Sequence, residues 1–369
     1  MKIVLPVLML LLLLGLTIGM NIYLARRFAL FFSFWSYKTW LWLFILVTIA
    51  MFANIGIFAV TANPVGSILS VASTLLIGFT VYLFLSVVFT DLLHLAIKMS
   101  PLTRGVLSVG LALVVFGYGL WNASVLRVKE VTIPMAGLSK EVKAVHLTDI
   151  HLGHYWGRKQ LEKVVRKTNE LRPDVVFNTG DLFDARSRLG EDVLVPFKDI
   201  QVPHYFVEGN HDKYVGVDEI TALLKNIGVQ VLENEISNFN ELQIVGLKHM
   251  LADNESFDMH AEEGEETIKG ILSSLPIRED KPTILLHHSP DGAKYADEKK
   301  IDLLLSGHTH GGQFFPFNIL AGWLFFKYNA GIYRYNGLTI SVSEGIGTFF
   351  APLRIGTNSE ILLYRLIPA

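Results

Sequence analysis

The sequence contains no cysteine. Disulfides, thiolate metal ligands and a cysteine nucleophile are therefore excluded. It has no Gly-x-Ser-x-Gly run to present a serine nucleophile, and no Gly-x-x-x-x-Gly-Lys-Ser/Thr loop to cradle nucleotide phosphates. Charge is scarce at the start of the chain. Up to residue 123 the charged side chains are Lys2, Arg26, Arg27, Lys38, Asp91, Lys98 and Arg104. Nor is there an overall excess of base. A net charge of -2 provides no basic stripe, so no nucleic-acid partner is expected and a nuclease is disfavoured.

What fills the uncharged part is hydrocarbon. The chain is 51% hydrophobic with a mean hydropathy of +0.40, too apolar for an ordinary soluble domain. Four stretches approach the ~20 residues needed to span a bilayer: Ile3–Leu24, Leu41–Val60, Ser67–Thr90 and the shorter Val106–Leu120. The first reads as a retained helix, because its apolar core is too long for a signal peptide and no small-residue cleavage pattern follows. Trp35, Trp40 and Trp42 stand where interfacial anchors are common. The loops holding Arg26, Arg27 and Lys38, and Lys98 and Arg104, are basic, whereas Thr61–Gly66 is uncharged. Basic loops favour the cytoplasm. An integral protein of the cell membrane is expected, with the residues after 123 on the extracytoplasmic side, provided that all four stretches cross.

The pattern changes after that point. Of the 12 histidines, only His94 precedes residue 123. Short buried-strand patterns at Val142–Leu147, Asp174–Asn178, Val202–Val207, Thr283–Leu286 and Ile301–Leu305 alternate with helical spacing at Lys159–Leu171, Val217–Ile227 and Glu262–Leu275. The acidic run Glu262–Glu266 reads as a solvated helix face. Strands alternating with helices describe an α/β layer structure, which binds ligands at the carboxyl ends of its strands.

Five strand ends deliver metal-binding side chains: Asp149-Ile150-His151, Gly180-Asp181, Gly209-Asn210-His211-Asp212, His287-His288 and Gly307-His308-Thr309-His310. Each alone is a common turn or surface pair. Their recurrence after successive strands is not. Asp149 and His151, two apart at a strand end, are expected to point to one side, as are His308 and His310. The glycines at 180, 209 and 307 are expected to let the backbone turn. Oxygen and nitrogen ligands without sulfur favour Mn, Fe or Zn in a catalytic site.

The series Asp149-x-His151, Gly180-Asp181-x-x-Asp184, Gly209-Asn210-His211-Asp212, His288 and Gly307-His308-x-His310 resembles the calcineurin-like metallophosphoesterase superfamily. Gly307-His308-Thr309-His310-Gly311-Gly312-Gln313, Gly345-Ile346-Gly347-Thr348, Pro352-Leu353-Arg354 and Glu360-Ile361 resemble its bacterial membrane-associated branch. The resemblance runs from about Val142 to the end of the sequence and leaves out the apolar helices. It implies a four-layer αββα sandwich with two central mixed sheets, in a domain over 124–369; the apolar stretches themselves give a multi-span α-helical anchor over 1–123 in front of it. It also implies two divalent metal ions, with Mn favoured and Fe or Zn the other candidates. The first would be held by Asp149, His151, Asp181 and His310, the second by Asp181, Asn210, His288 and His308. His211 would face the substrate, and Asp184 would orient a ligand histidine from behind. His288 is preferred to His287 because similar sequences place the ligand two residues before the proline. Two metals sharing a carboxylate activate a bridging water and neutralise the phosphoryl oxygens.

Other residues are candidates for substrate contact. His154, Tyr155 and Arg158 follow the first motif closely. The run Phe314–Phe326, with Trp323, Phe325 and Phe326, is unusually apolar for the border of a hydrolytic site. It reads as core packing or as a lip for the bilayer or a lipid chain. Lys248-His249 stands where similar sequences often carry an acid. The expected activity is hydrolysis of a phosphoester or pyrophosphate bond, on a substrate linked to lipid. The alternatives are a phosphodiesterase for soluble nucleotides and a metal-free interaction module of the same shape.

Overall fold

The structure, a computed structural model, describes residues 4–58, 64–184, 191–256 and 266–369. Residues 61–63 of the uncharged turn and 262–265 of the acidic run lie outside them. The chain separates into two compact units, with the division before Trp121.

The first unit consists of helices α1 (Val4–Phe31), α2 (Tyr37–Phe58), α3 (Pro64–Ala96) and most of α4 (Pro101–Ser124). All four are long and apolar enough to cross a membrane. At 24 residues, α4 extends about 36 Å, against a hydrocarbon core of about 30 Å. It starts cleanly: Pro101 needs no N–H partner in the first turn, and Ser100 Oγ accepts from the Thr103 amide at 3.1 Å. Helix α1 runs past Leu24, where the apolar stretch stops, because its arginine finds a partner. Arg27 Nε lies 2.6 Å from Asp91 Oδ2, the Tyr23 hydroxyl donates to the same oxygen at 2.6 Å, and Arg104 pairs with Asp91 Oδ1. One carboxylate thus joins α1, α3 and α4 at a single end, and a charge that is paired costs far less in apolar surroundings.

The second unit follows in the order β1 (Leu126–Met135), β2 (Val142–Leu147), α5 (Arg158–Glu170), β3 (Val175–Asn178), β4 (His204–Phe206), α6 (Asn210–Val215), α7 (Val217–Asn226), β5 (Gln230–Val231), β6 (Glu235–Phe239), β7 (Leu242–Gly246), α8 (Ile268–Ser274), β8 (Thr283–Leu286), α9 (Ala293–Glu298), β9 (Leu303–Ser306), α10 (Phe317–Leu324), β10 (Gly331–Tyr335), β11 (Leu338–Val342) and β12 (Ser359–Pro368). They form two six-stranded sheets, ordered β1-β12-β2-β3-β4-β5 and β10-β11-β9-β8-β7-β6. Both are mixed. β12 is parallel to β1 but antiparallel to β2, and β6 and β10 run against otherwise parallel strands.

The period of two along the strands sorts side chains into layers. Leu362, Tyr364 and Leu366 of β12 join Ile284 and Leu286 of β8 between the sheets. Ile361 and Leu363 face the other way, onto Leu161, Val164 and Val165 of α5. Leu285 of β8 likewise packs outward with Ile268 and Leu272 of α8. Each fully buried Val, Leu or Ile contributes ~1.5–3 kcal/mol, and a strand with both faces covered collects that on every residue. The result is the four-layer αββα arrangement, and it brings the carboxyl ends of β2, β3, β8 and β9 to one edge.

Candidate metal centre

The first pair of side chains is set by backbone conformation that the sequence does not announce. β2 ends at Leu147, and Asp149 and His151 are not extended: their φ angles are 52° and 50°. Asp181, His308 and His310 also have positive φ. Non-glycine residues rarely adopt this region. It is held here by pairing between loops, in which the Asp149 amide donates to the Gly180 carbonyl at 2.9 Å and the His151 amide to the Asp181 carbonyl at 3.0 Å. Alternation along an extended strand is therefore not what aims Asp149 and His151. Nor do His308 and His310 share a side. His310 joins Asp149 and His151, whereas His308 joins Asp181 and His288. The glycines also differ from expectation. Gly180 does turn the chain, at φ 90°. Gly209 is extended, and it and Gly307 are required because a Cβ there would strike the carboxylates of Asp181 and Asp149 respectively.

The side chains converge in two groups. In one, the Nε2 atoms of His151 and His310 lie 2.9 Å apart, with Asp149 Oδ1 3.3 Å from His310 Nε2. In the other, His288 Nε2 lies 3.2 Å from Asp181 Oδ2, and His308 Nδ1 lies 3.0 Å from Asn210 Oδ1. Asp181 faces both, since its Oδ2 is also 3.6 Å from His151 Nε2. His211 comes within ligand distance of His151 and Asp181, and its amide donates to Asp181 Oδ1 at 2.9 Å.

Supporting contacts fix these orientations. Thr148 Oγ1 donates to Asp149 Oδ2 at 2.8 Å, and the His308 amide donates to both Asp149 oxygens at 3.1 Å. His288 Nδ1 donates to the Thr179 carbonyl at 2.7 Å, which turns Nε2 inward. Asp212, which the sequence offers without a role, accepts from the amides of Leu182, Phe183 and Gly209 and braces the turns bearing Asp181 and Asn210.

The donor set suits cations. Burial holds His151 and His310 well below the usual imidazole range, helped by His211 for the former and by His151 for the latter, so both keep free lone pairs. Burial opposes ionisation of Asp181, yet His288 and His211 hold it well below the usual carboxylate range. Burial also opposes protonation of His288, but Asp181 and Asp149 override this and push it up to about 10. The cluster thus draws positive charge inward, and among the described residues the buried His288 Nε2 has no hydrogen-bond partner of good geometry. Both features fit divalent metal ions on hard and borderline ligands.

The other sequence candidates divide. Phe326 is half-buried, with its ring edge-on to His308 at 5.7 Å. Trp323 is 85% exposed and Phe325 46%. Arg158 is directed away, into ion pairs with Glu162 and Asp192. His154 is half-buried in the segment between β2 and α5, and the Asp184 amide donates to the Leu152 carbonyl at 2.9 Å. His287 is buried and bonds through Nδ1 to the Ser289 carbonyl at 2.7 Å. His249 is fully buried too, stacked on His287 at 5.8 Å and against His288 and His308. Phe349 lies 5.3 Å from His310, a neighbour the sequence does not signal because it stands far along the chain from any ligand motif.

Comparison with known proteins decides the family. The profile described as calcineurin-like phosphoesterase matches residues 142–312. A metallophosphoesterase of Helicobacter pylori is 31% identical over 352 residues, covering 90% of each chain. The chain belongs to the calcineurin-like phosphoesterase family. A second Helicobacter pylori metallophosphoesterase is 33% identical, covering 72% of this chain and 71% of its own. A transmembrane protein with metallophosphoesterase domain from Danio rerio is 34% identical, covering 72% of this chain and 63% of its own. Coverage of 90% exceeds what Trp121–Ala369 alone supplies, so the similarity of this calcineurin-like phosphoesterase to its Helicobacter relative extends into the apolar helices. Membership makes it a metal-dependent phosphoesterase, and its clustered aspartates and histidines are the candidate ligands of a dinuclear site.

Proposed function

We propose that this phosphoesterase cleaves a phosphoester or pyrophosphate bond in a lipid-linked substrate. The proposed ligands are Asp149, His151, Asp181 and His310 for one cation and Asp181, Asn210, His288 and His308 for the other. When bound, two divalent cations, with Mn favoured, supply an activated water and neutralise the phosphoryl oxygens. The chain's own groups do the rest. Asp181 sets the spacing of the two halves with one carboxylate. His211, half-buried beside His151 at 4.7 Å, is placed to donate to a phosphoryl oxygen or to the leaving group. Phe326 and Phe349 flank the two halves with apolar rings and narrow the access of water.

The observation that carries the lipid reading is α10. Directly after the His310 turn, this helix exposes Phe317, Ile319, Leu320, Trp323 and Leu324, and Phe326 connects the segment to His308. An apolar border of this kind accepts an acyl or prenyl chain more readily than a soluble nucleotide. Replacing the exposed Trp323 and Phe325 together by serine is expected to lower turnover of a lipid phosphoester at least ~10-fold, since burying one aromatic side chain is worth ~1.5–3 kcal/mol. Turnover of a small soluble phosphoester and bound metal should change little. Equal losses on both substrates would make the segment structural, and no loss on either would remove the lipid reading.

We also infer that the catalytic unit lies outside the cytoplasm. The support is the pairing of Arg27 and Arg104 with Asp91, which gathers both basic loops at one end of the helices, where Lys and Arg favour the cytoplasmic face. A compartment-specific reporter fused after Ala369 is expected to signal from the extracytoplasmic side. A cytoplasmic signal would reverse the assignment.

A further inference from the structure

The motif Gly345-Ile346-Gly347 with Arg354 supplies none of the candidate ligands, yet it stands directly behind them. Arg354 is the largest fully buried side chain of the described residues. Among those residues no carboxylate pairs with it within 4 Å, and most of its hydrogen bonds go to backbone instead. Nη2 donates to the carbonyls of Glu344 at 2.7 Å, Gly345 at 3.1 Å and Gly347 at 2.6 Å. Nε donates again to the Gly347 carbonyl at 3.2 Å, and Nη1 reaches Thr357 Oγ1 at 3.4 Å. Three carbonyls of one four-residue loop are held by a single planar group, a geometry that lysine does not reproduce.

That loop is the rear wall of Asp149. The amides of Ile346 and Gly347 donate to the carbonyls of Thr148 at 3.1 Å and Asp149 at 2.7 Å. A Cβ on Gly345 would come 2.7 Å from the Asp149 Cβ, at a φ of +79° that already disfavours other residues. Arg354 Nη2 also lies 3.3 Å from His310 Nδ1, which restricts rotation of that ring. Asp149 and His310 belong to the same group of candidate ligands. Among the described residues the hydrogen bonds of Arg354 reach this group and not Asn210, His288 or His308.

We propose that Arg354 is a positioning residue for one half of the centre: it fixes Asp149 through the Glu344–Gly347 loop and His310 by direct contact. This rests on the ligand assignment proposed above. Removing the fork should therefore loosen one metal and leave the other. The protein for the test is the full chain in detergent, titrated with Mn(II) alone. Wild type is expected to bind two Mn(II) and give the spin-coupled electron paramagnetic resonance spectrum of a close pair. Arg354→Lys is expected to bind the first Mn(II) normally and the second about 10–100-fold more weakly, the usual effect of losing a residue behind a ligand. At intermediate Mn(II) its spectrum should be that of an isolated ion, and saturating Mn(II) should restore turnover to within a few-fold. Should Arg354→Lys fail to fold, Gly345→Ala presses on the same loop and should weaken the same one metal. Two Mn(II) bound with wild-type affinity in the variant that folds, or equal weakening of both, would overturn the positioning role. Wild type binding fewer than two Mn(II) would instead overturn the dinuclear reading on which it rests.

Discussion

Asp181→Asn is expected to abolish measurable turnover and remove most of the bound metal. The side chain is the member common to both groups, with one oxygen 3.6 Å from His151 Nε2 and 3.2 Å from His288 Nε2. Asparagine has nearly the same shape, and its oxygen still accepts the His211 amide that now donates to Oδ1. The substitution therefore removes charge while preserving packing. Replacing a residue behind a metal ligand typically costs ~10–100-fold in affinity. Loss of a carboxylate serving two cations should exceed that at each of them. The fold should survive, because an uncompensated buried anion costs stability and the amide does not carry one. Elemental analysis and a melting curve on the same sample separate these effects. Two metals retained by a folded variant would end the bridging role.

His211→Ala should behave in the opposite way, with both metals retained and turnover lowered by ~10²–10⁴, the range for loss of a positioned proton donor. The geometry makes this a sharp test, because His211 lies near enough to His151 and Asp181 to be a ligand itself. What argues for a substrate role is its partial exposure beside Tyr214, whose ring is 6.2 Å away. The link to Asp181 runs through the His211 backbone amide, which alanine keeps. Metal lost in proportion to activity would make His211 a ligand.

The candidate ligands stand out in the sequence because most of them follow a short run of buried apolar residues, as Val175–Asn178 precedes Asp181 and Leu303–Ser306 precedes His308. The reason these side chains meet was not legible. Asp149, His151, Asp181, His308 and His310 depend on positive φ, which is stabilised by carbonyls of other loops and leaves no mark on local spacing. The aim of His288 depends on the Thr179 carbonyl, and a backbone atom has no residue type to read. Helix α1 exceeds its apolar stretch for a similar reason: Arg27 reads as an end of the apolar run, whereas Asp91, far along the chain, pairs with it. Arg354 was visible as part of a motif, but its work is done on a loop whose position only the folded sheets define.

The placement of β12 has a consequence for how the protein is made. Residues Ser359–Pro368 lie between β1 and β2, and Leu126 of β1 pairs opposite Ser359. β1 is the first strand to follow the fourth apolar helix, so a ribosome adding ~5–20 residues per second leaves it without its partner for on the order of ten to fifty seconds. During that interval the nascent chain carries an open sheet edge, and such edges invite pairing with other chains. Closure comes with the last strand, so a ribosome stalled before residue 359 would release a tethered domain whose first sheet has lost both its edge strand and the strand that joins it.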